Sequence, residues 1–267
     1  MNSLFPLISE FNPIGLAEMD AVSLMDRRDT KFLFKATQLP LILKELQSSY
    51  KIMEIENKRL QHYVSLYFDT DSFKFYSDHH NGKLNRYKVR YRKYTDSKLH
   101  FLEVKFKNNK GTTRKKRIKI EPGQFIRDGL FKEGIAFVQK RMNHDPGRLA
   151  PKLFVEYSRI ALVHKDLKER ATIDINLSYR NGSEKVLEKI AIAEVKQDKL
   201  SRSSDFIRLM NDMRIFNTRF SKYCFGINLL YPQVKYNRFK PRISTYNKLV
   251  YGTTYNTKKI QKSFINN

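Results

Sequence analysis

The stretch "NRYKVRYRKY", residues 85–94, decides the fold. It alternates in character, with β-favouring Tyr and Val at every second place, and so predicts a β-strand. Side chains two apart on a strand share a face. Arg86, Lys88, Arg90 and Arg92 therefore point one way and Tyr87, Val89 and Tyr91 the other. Like charges roughly 6–7 Å apart along one face repel unless water or an anion separates them. The aromatic face, by contrast, needs burial.

Other stretches repeat the pattern. In "FLEVKFKN" (101–108) Glu103, Lys105 and Lys107 share one face and Leu102, Val104 and Phe106 the other. "RATIDINLSY" (170–179) sets Arg170, Thr172, Asp174 and Asn176 against Ala171, Ile173 and Ile175. In "FVEYSRIAL" (154–162) Tyr157 and Arg159 share a face, and in "IAIAEVKQDK" (190–199) Glu194 and Lys196 end a strand apolar on both faces. Charges on such a strand need partners, because burying them unpaired is costly.

Strands are predicted at 26–34, 63–69, 85–94, 99–108, 112–120, 153–163, 170–178 and 190–197. Helices are predicted within 10–25 and at 37–50, 133–142 and 204–215, with Thr37 and then Ser203 or Ser204 as caps. Eight strands with peripheral helices and no βαβ rhythm give an antiparallel α+β domain. Any one of these strands also suits an ordinary half-exposed sheet with a wet basic face. Several of them together, with a few carboxylates interspersed, suit a closed sheet with a charged interior. Such a lumen would take a long polyanion, its carboxylates holding a divalent metal that bridges phosphate oxygens.

The 267 residues include 52 Lys and Arg against 27 Asp and Glu, a formal charge of +25, which is a statement about partners. Nucleic acid, anionic lipid and polyphosphorylated substrates are the candidates. A hydrophobic content of 40% with 15 Tyr and 19 Phe excludes a charged coil. The single cysteine, Cys224, excludes an internal disulfide and suits a reducing cytoplasm. "MNSLFPLISEFNP" lacks the pattern of a signal peptide, and no apolar run approaches a membrane span. The expected location is cytoplasmic, or peripheral to the inner face of a membrane.

Residues 1–232 read as one domain and 233–267 as a basic C-terminal tail with eight cations and no acid. The tail is either solvated or a clip onto a membrane protein or an anionic membrane surface. Without it the remainder still carries +17, so the basicity belongs to the fold.

Six segments resemble, in order, the VTC domain, the polyphosphate polymerase domain of the triphosphate tunnel metalloenzyme superfamily. They are "TKFLF" (30–34), "SLYFDTDSFKFYSDHHNGKLNRYKVRYRKY" (65–94), "FLEVKFKNNKGTTRKKR" (101–117), "VEYSRIAL" (155–162), "IAEVKQDK" (192–199) and "FSKYCFGI" (220–227). The resemblance implies an eight-stranded antiparallel β-barrel-like tunnel with peripheral helices. It implies Mn²⁺ or Mg²⁺ as cofactor, ATP and inorganic polyphosphate as partners, and transfer of the γ-phosphoryl group of ATP to a growing chain. Carried over by motif, Lys31, Arg90, Arg92, Lys105, Arg159 and Lys222 are the expected catalytic phosphate contacts. Arg27, Arg86, Lys88, Arg114, Lys115, Lys116, Lys196 and Ser221 are the expected substrate-binding residues, and Glu194 with Glu103 the expected metal ligands.

Two departures accompany the resemblance. "DRRDTK" (26–31) stands where the wider superfamily has an ExExK strand, as in this branch, and the fused regulatory and membrane domains of eukaryotic members are expected to be missing. A cationic ladder with one metal suffices for phosphoryl transfer, which needs mainly positioning and charge neutralisation. His79, His80 and Cys224 fall outside these faces and read as structural. Hydrolysis of triphosphate or short polyphosphate, a silent polyphosphate sensor and a nucleic-acid-binding domain remain as alternatives. Against the last, the aromatics alternate onto the face opposite the cations, whereas a stacking platform presents them together.

Overall fold

The computed structural model describes residues 4–21, 28–125, 129–142, 145–166, 169–197 and 204–252, without the side chains of 19–21. Its strands are β1 (Pro13–Ile14), β2 (Arg28–Lys35), β3 (Tyr50–Met53), β4 (Leu60–Asp69), β5 (Arg86–Tyr94), β6 (Leu99–Lys107) and β7 (Thr113–Ile120), then β8 (Ala150–His164), β9 (Glu169–Asn181), β10 (Ser183–Leu187) and β11 (Ile190–Gln197). Its helices are α1 (Leu4–Ser9), α2 (Leu16–Ala21), α3 (Leu39–Leu46), α4 (Lys74–His80), α5 (Lys132–Gln139), α6 (Asp205–Asp212), α7 (Lys222–Leu230) and α8 (Lys240–Tyr251).

Eight strands form one antiparallel path, β2-β11-β9-β8-β4-β5-β6-β7, with short β1, β3 and β10 attached beside it. All eight expected strands are present, and the helices surround them as an α+β fold requires. The path does not close: β2 and β7 are its edges, and no pairing joins them among the described residues. Both edges nevertheless line one cavity, so the sheet curves around its charged face.

The outward faces carry two of the three cores. Phe32, Phe34, Ile160, Leu162, Ile173 and Val195 pack under α3 and α6. The apolar stripe of α3 (Leu39, Ile42, Leu43, Leu46) is wholly buried there, each residue stabilising by about 1.5–3 kcal/mol relative to exposure. Thr37 lies in a 3-10 turn ahead of that helix rather than at its cap, whereas Ser204 does cap α6, accepting from the Ile207 N–H at 3.1 Å. On the other half, Val89 and Tyr91 pack with Leu102, Val104, Phe137 and Val138 under α5. The aromatic face of the opening stretch is therefore core.

The third core presses α7 and α8 onto the inner side, through Tyr223, Phe225 and Ile227 and through Phe239, Ile243 and Tyr246. At Gly226 of α7 an added Cβ would lie 2.4 Å from the Tyr179 ring and 2.6 Å from Leu153, so only glycine lets the helix approach this closely. Within the segment read as a basic tail, the spacing of Phe239, Ile243 and Tyr246 gives α8 one apolar side, which is buried. Residues 253–267 lie outside the described residues.

Candidate functional site

β5 and β6 are in register with Arg90 opposite Glu103 and Lys88 opposite Lys105. The anion required by the crowded ladder is thus partly built in. Arg90 donates from Nη2 and Nε to Glu103 Oε2 at 2.6 and 2.8 Å, and from Nη1 to the Tyr67 hydroxyl at 2.8 Å. Lys115 of β7 pairs with the same carboxylate. Burial works against the Glu103 carboxylate, but Arg90, Arg92 and Lys115 outweigh it and hold it well below the usual range. Arg92 donates to the Tyr157 hydroxyl at 2.7 Å and to Ser65 Oγ at 3.3 Å.

A second cluster repeats this arrangement on β8 and β9. Arg159 reaches Asp174 through two bonds, 2.6 Å from Nε and 2.9 Å from Nη2, and Lys222 at the start of α7 pairs with Asp174 as well. Burial opposes the Asp174 charge, and Arg159 and Lys222 again prevail and hold it low. The alternation read along β9 breaks one step further on. Asn176 has φ 53° at a register shift against β8, and beyond that bulge Leu177 and Tyr179 join the inner core.

The concave face encloses a cavity of about 430 Å³. Among the described residues ten Lys and Arg side chains and three carboxylates, Asp29, Glu103 and Glu194, line it. Every expected site residue lies on its wall except four. Arg27 lies outside the described residues, Arg86 lines an adjoining basin, and Arg114 and Lys116 are exposed on the outer side of edge strand β7. Lys88 donates to Ser221 Oγ at 3.0 Å, and Ser221 caps α7 by accepting from the Cys224 N–H. The Lys88 and Lys196 ammonium groups are pushed down by burial and further by neighbouring cations, and Lys105 much further. Burial also pushes the Tyr67 phenol up, but Arg90, Arg92 and Lys88 bring it below its ordinary range.

Asp29, which motif reading did not select, sits on β2 two places before Lys31 and therefore on the same face. Lys31 pairs with Glu194 at 3.0 Å. Burial and the adjacent Glu194 raise the Asp29 carboxyl, and a hydrogen bond links the two. Burial opposes the Glu194 charge as well, but Lys196 and Lys31 keep it well below the usual range. Two carboxyls that share a proton fit a hard divalent cation in the proton's place, with phosphate oxygens completing the shell. Among the described residues no three His, Cys, Asp or Glu side chains gather, so the pair fits an ion carried by phosphate better than an all-protein cage. Glu103, closed between Arg90 and Lys115, is spoken for by its cations.

The ends of the cavity differ. Beside Tyr94 and Lys196 opens a pocket of about 360 Å³ lined by Met53, Tyr63, Leu99 and Phe101, with Arg117 over the Phe101 ring at 4.4 Å. Beside Asp29 and Ser221 opens a basin of about 720 Å³ that takes in Arg86 and Lys107, at the opposite end of the β5–β6 hairpin.

A curved antiparallel sheet whose inner face is a cationic cavity set with buried carboxylates defines a phosphate-handling domain of the tunnel class. The chain belongs to the VTC domain family, which matches residues 26–231, and a triphosphate or polyphosphate substrate goes with that membership. No curated protein matches the chain. Solved structures similar to it include a Hippeastrum candidate adenylyl cyclase described as having a dominant triphosphatase activity, at 13% identity and TM-score 0.44 over 78% of this chain and 100% of that one. A candidate adenylate cyclase from Vibrio parahaemolyticus matches at 9% identity and TM-score 0.45 over 74% and 97%. A protein from Pyrococcus horikoshii matches at 11% identity and TM-score 0.43 over 75% and 99%. Likeness this distant bears on no residue's role.

Proposed function

We propose that this protein is a metal-dependent polyphosphate polymerase that transfers the γ-phosphoryl group of ATP to a growing inorganic polyphosphate chain. The observation that carries the reading is the pair of unlike openings on one lysine-lined cavity. A chain longer than a triphosphate needs a way out beyond the reacting phosphate, and a basic basin offers it. The aromatic and apolar pocket at the other end suits the nucleoside.

In this reading Lys88, Lys105 and Lys196 lie against phosphate oxygens, which restores the charge that burial disfavours in the free protein. Arg90 and Arg159, fixed by Glu103 and Asp174, hold the wall of the cavity in shape around the reacting phosphates. Lys222 and the first turn of α7 add positive potential where charge gathers in a loose transition state. Mn²⁺ or Mg²⁺ held by Glu194 and Asp29 would supply Lewis-acid neutralisation of phosphate oxygens.

The test is incubation with ATP and Mn²⁺, followed by separation of nucleotide and polymer. ADP together with phosphate polymer is the expected result. Release of orthophosphate without polymer would make the protein a triphosphate hydrolase instead.

A further inference from the structure

The basin beside Asp29 and Ser221 extends past the cavity and past the family's domain. Its wall combines Arg86 and Lys107 from the β5–β6 hairpin, Arg219 just before α7, and Arg238 and Arg242 from the turn and helix that follow residue 231. Asp29 is the one carboxylate lining it among the described residues. Arg238 is fixed in place: its Nη1 donates to the Asn81 carbonyl at 2.6 Å, and its backbone N–H meets His80 Nε2 at 3.3 Å. Arg242 lies over the Phe239 ring at 5.0 Å, and that ring stacks on His79. The imidazole Nδ1 of His79 is buried and has no hydrogen-bond partner among the described residues.

No ion pair with a carboxylate reaches Lys107, Arg219 or Arg242 among the described residues. Burial lowers the Arg242 guanidinium, and nearby Arg219 lowers it further. Burial likewise lowers Lys107, with Arg86 and Arg219 adding to the shift. A solvated surface spreads like charges apart or intersperses acids. Here α8 is docked by Phe239, Ile243 and Tyr246 in a way that brings its arginines toward others.

We infer that this basin is a second phosphate site, which holds the stretch of linear polyphosphate emerging from the cavity, and that α8 is built into the fold to supply it. The inference rests on the polymerase reading for the identity of the polyanion. A chain held at both places gains affinity with length, because the second contact is made within one complex.

The experiment measures binding of tripolyphosphate and of long-chain polyphosphate by calorimetry without ATP, on the full chain. The proteins compared are the wild type, the double variant Arg219→Gln with Arg242→Gln, and Lys105→Met. Neither arginine in the double variant holds a carboxylate, so folding is not at risk; equal melting temperatures check this. The wild type should bind the long chain more tightly than tripolyphosphate. The double variant should lose roughly tenfold in long-chain affinity, as expected for two partly solvated charged contacts. Its tripolyphosphate affinity should stay within about twofold, while Lys105→Met weakens both ligands. Equal losses for both lengths in the double variant, or no loss for the long chain, would overturn the basin. So would a wild type indifferent to length. A wild type that shows the length effect but makes no polymer from ATP would overturn the polymerase reading and leave the basin standing.

Discussion

Where β5 meets β6, and again where β8 meets β9, an arginine and a lysine close on one almost wholly buried carboxylate; between those places Lys88, Lys105 and Lys196 form no ion pair with a carboxylate among the described residues. Glu103 is 1% exposed and Asp174 2%. Lys88 has the Ser221 hydroxyl, Lys105 has the field of Glu194, and Lys196 has the fields of Glu194 and Asp29. The contrast separates two tasks that composition cannot. The braced arginines hold the wall in shape, since their charge is already answered. The lysines are left for an anion that comes and goes. Like charges on one strand are therefore tolerated in two ways, one permanent and one conditional on ligand.

The largest expected effect falls on Glu194, which belongs to neither class because it is shared by Lys31 and Asp29. Glu194→Gln should keep the fold and lower turnover by about a thousandfold, the order of one lost electrostatic contact to the transition state. EDTA should do the same to the wild type. Loss of melting temperature with turnover intact would make Glu194 a third brace and remove the metal from the mechanism.

Breaking a brace should act on stability first. Asp174→Ala leaves Arg159 and Lys222 without their carboxylate and should cost about 3 kcal/mol in denaturant unfolding. The sign with pH follows from the depressed Asp174 carboxyl. Its contribution is fully present above an unfolded-state pKa of about 4 and is lost as pH falls below that value. Wild-type stability should therefore fall between about pH 4 and 2 more steeply than that of the variant. Parallel curves would mean that Asp174 does not brace the wall.

A lysine should behave in the opposite sense. Lys105→Met removes a cation that burial already disfavours, so the apo protein should melt at the same temperature or higher. The rise in melting temperature on adding tripolyphosphate should shrink by an amount equivalent to roughly a tenfold weaker Kd. An unchanged ligand shift would erase the distinction between braced and waiting cations.

How much of this was readable from residue order depends on how far each feature rests on local periodicity. The β5 ladder and its partner β6 were legible because alternation fixes which side chains share a face. The braces were not, since the pairing of Arg159 with Asp174 depends on which strands become neighbours and on the bulge at Asn176. Asp29 carried a signal in its parity with Lys31, but the ExExK comparison drew attention to the missing glutamates. The helix α7 was overlooked because Tyr223 to Asn228 are buried all round, which leaves no amphipathic period to detect. The helix α8 was hidden by its charge: eight cations and no acid from 233 onward outweighed three well-spaced apolar residues.

Lys115 stands between the two classes, being braced by Glu103 yet still on the cavity wall, and the smallest expected effect belongs to it. Burial pushes its ammonium down to about 8; Glu103 resists, while Arg90 and Arg92 add to the fall. In the free protein it therefore loses its proton as pH rises through about 8. A bound polyanion favours the charged form, so binding above that pH must take up a proton, and affinity should decline by a few-fold between pH 7.5 and 9.5. Lys88, Lys105 and Lys196 are also lowered and add to the same slope, so the wild-type profile alone cannot isolate one residue. Lys115→Arg can, because a guanidinium keeps its charge over this range and still reaches Glu103. The variant should bind tripolyphosphate as the wild type does at pH 7.5 and more tightly at pH 9.5. If the two profiles coincide, Lys115 gives all its charge to Glu103 and none to the ligand, and it joins the braces.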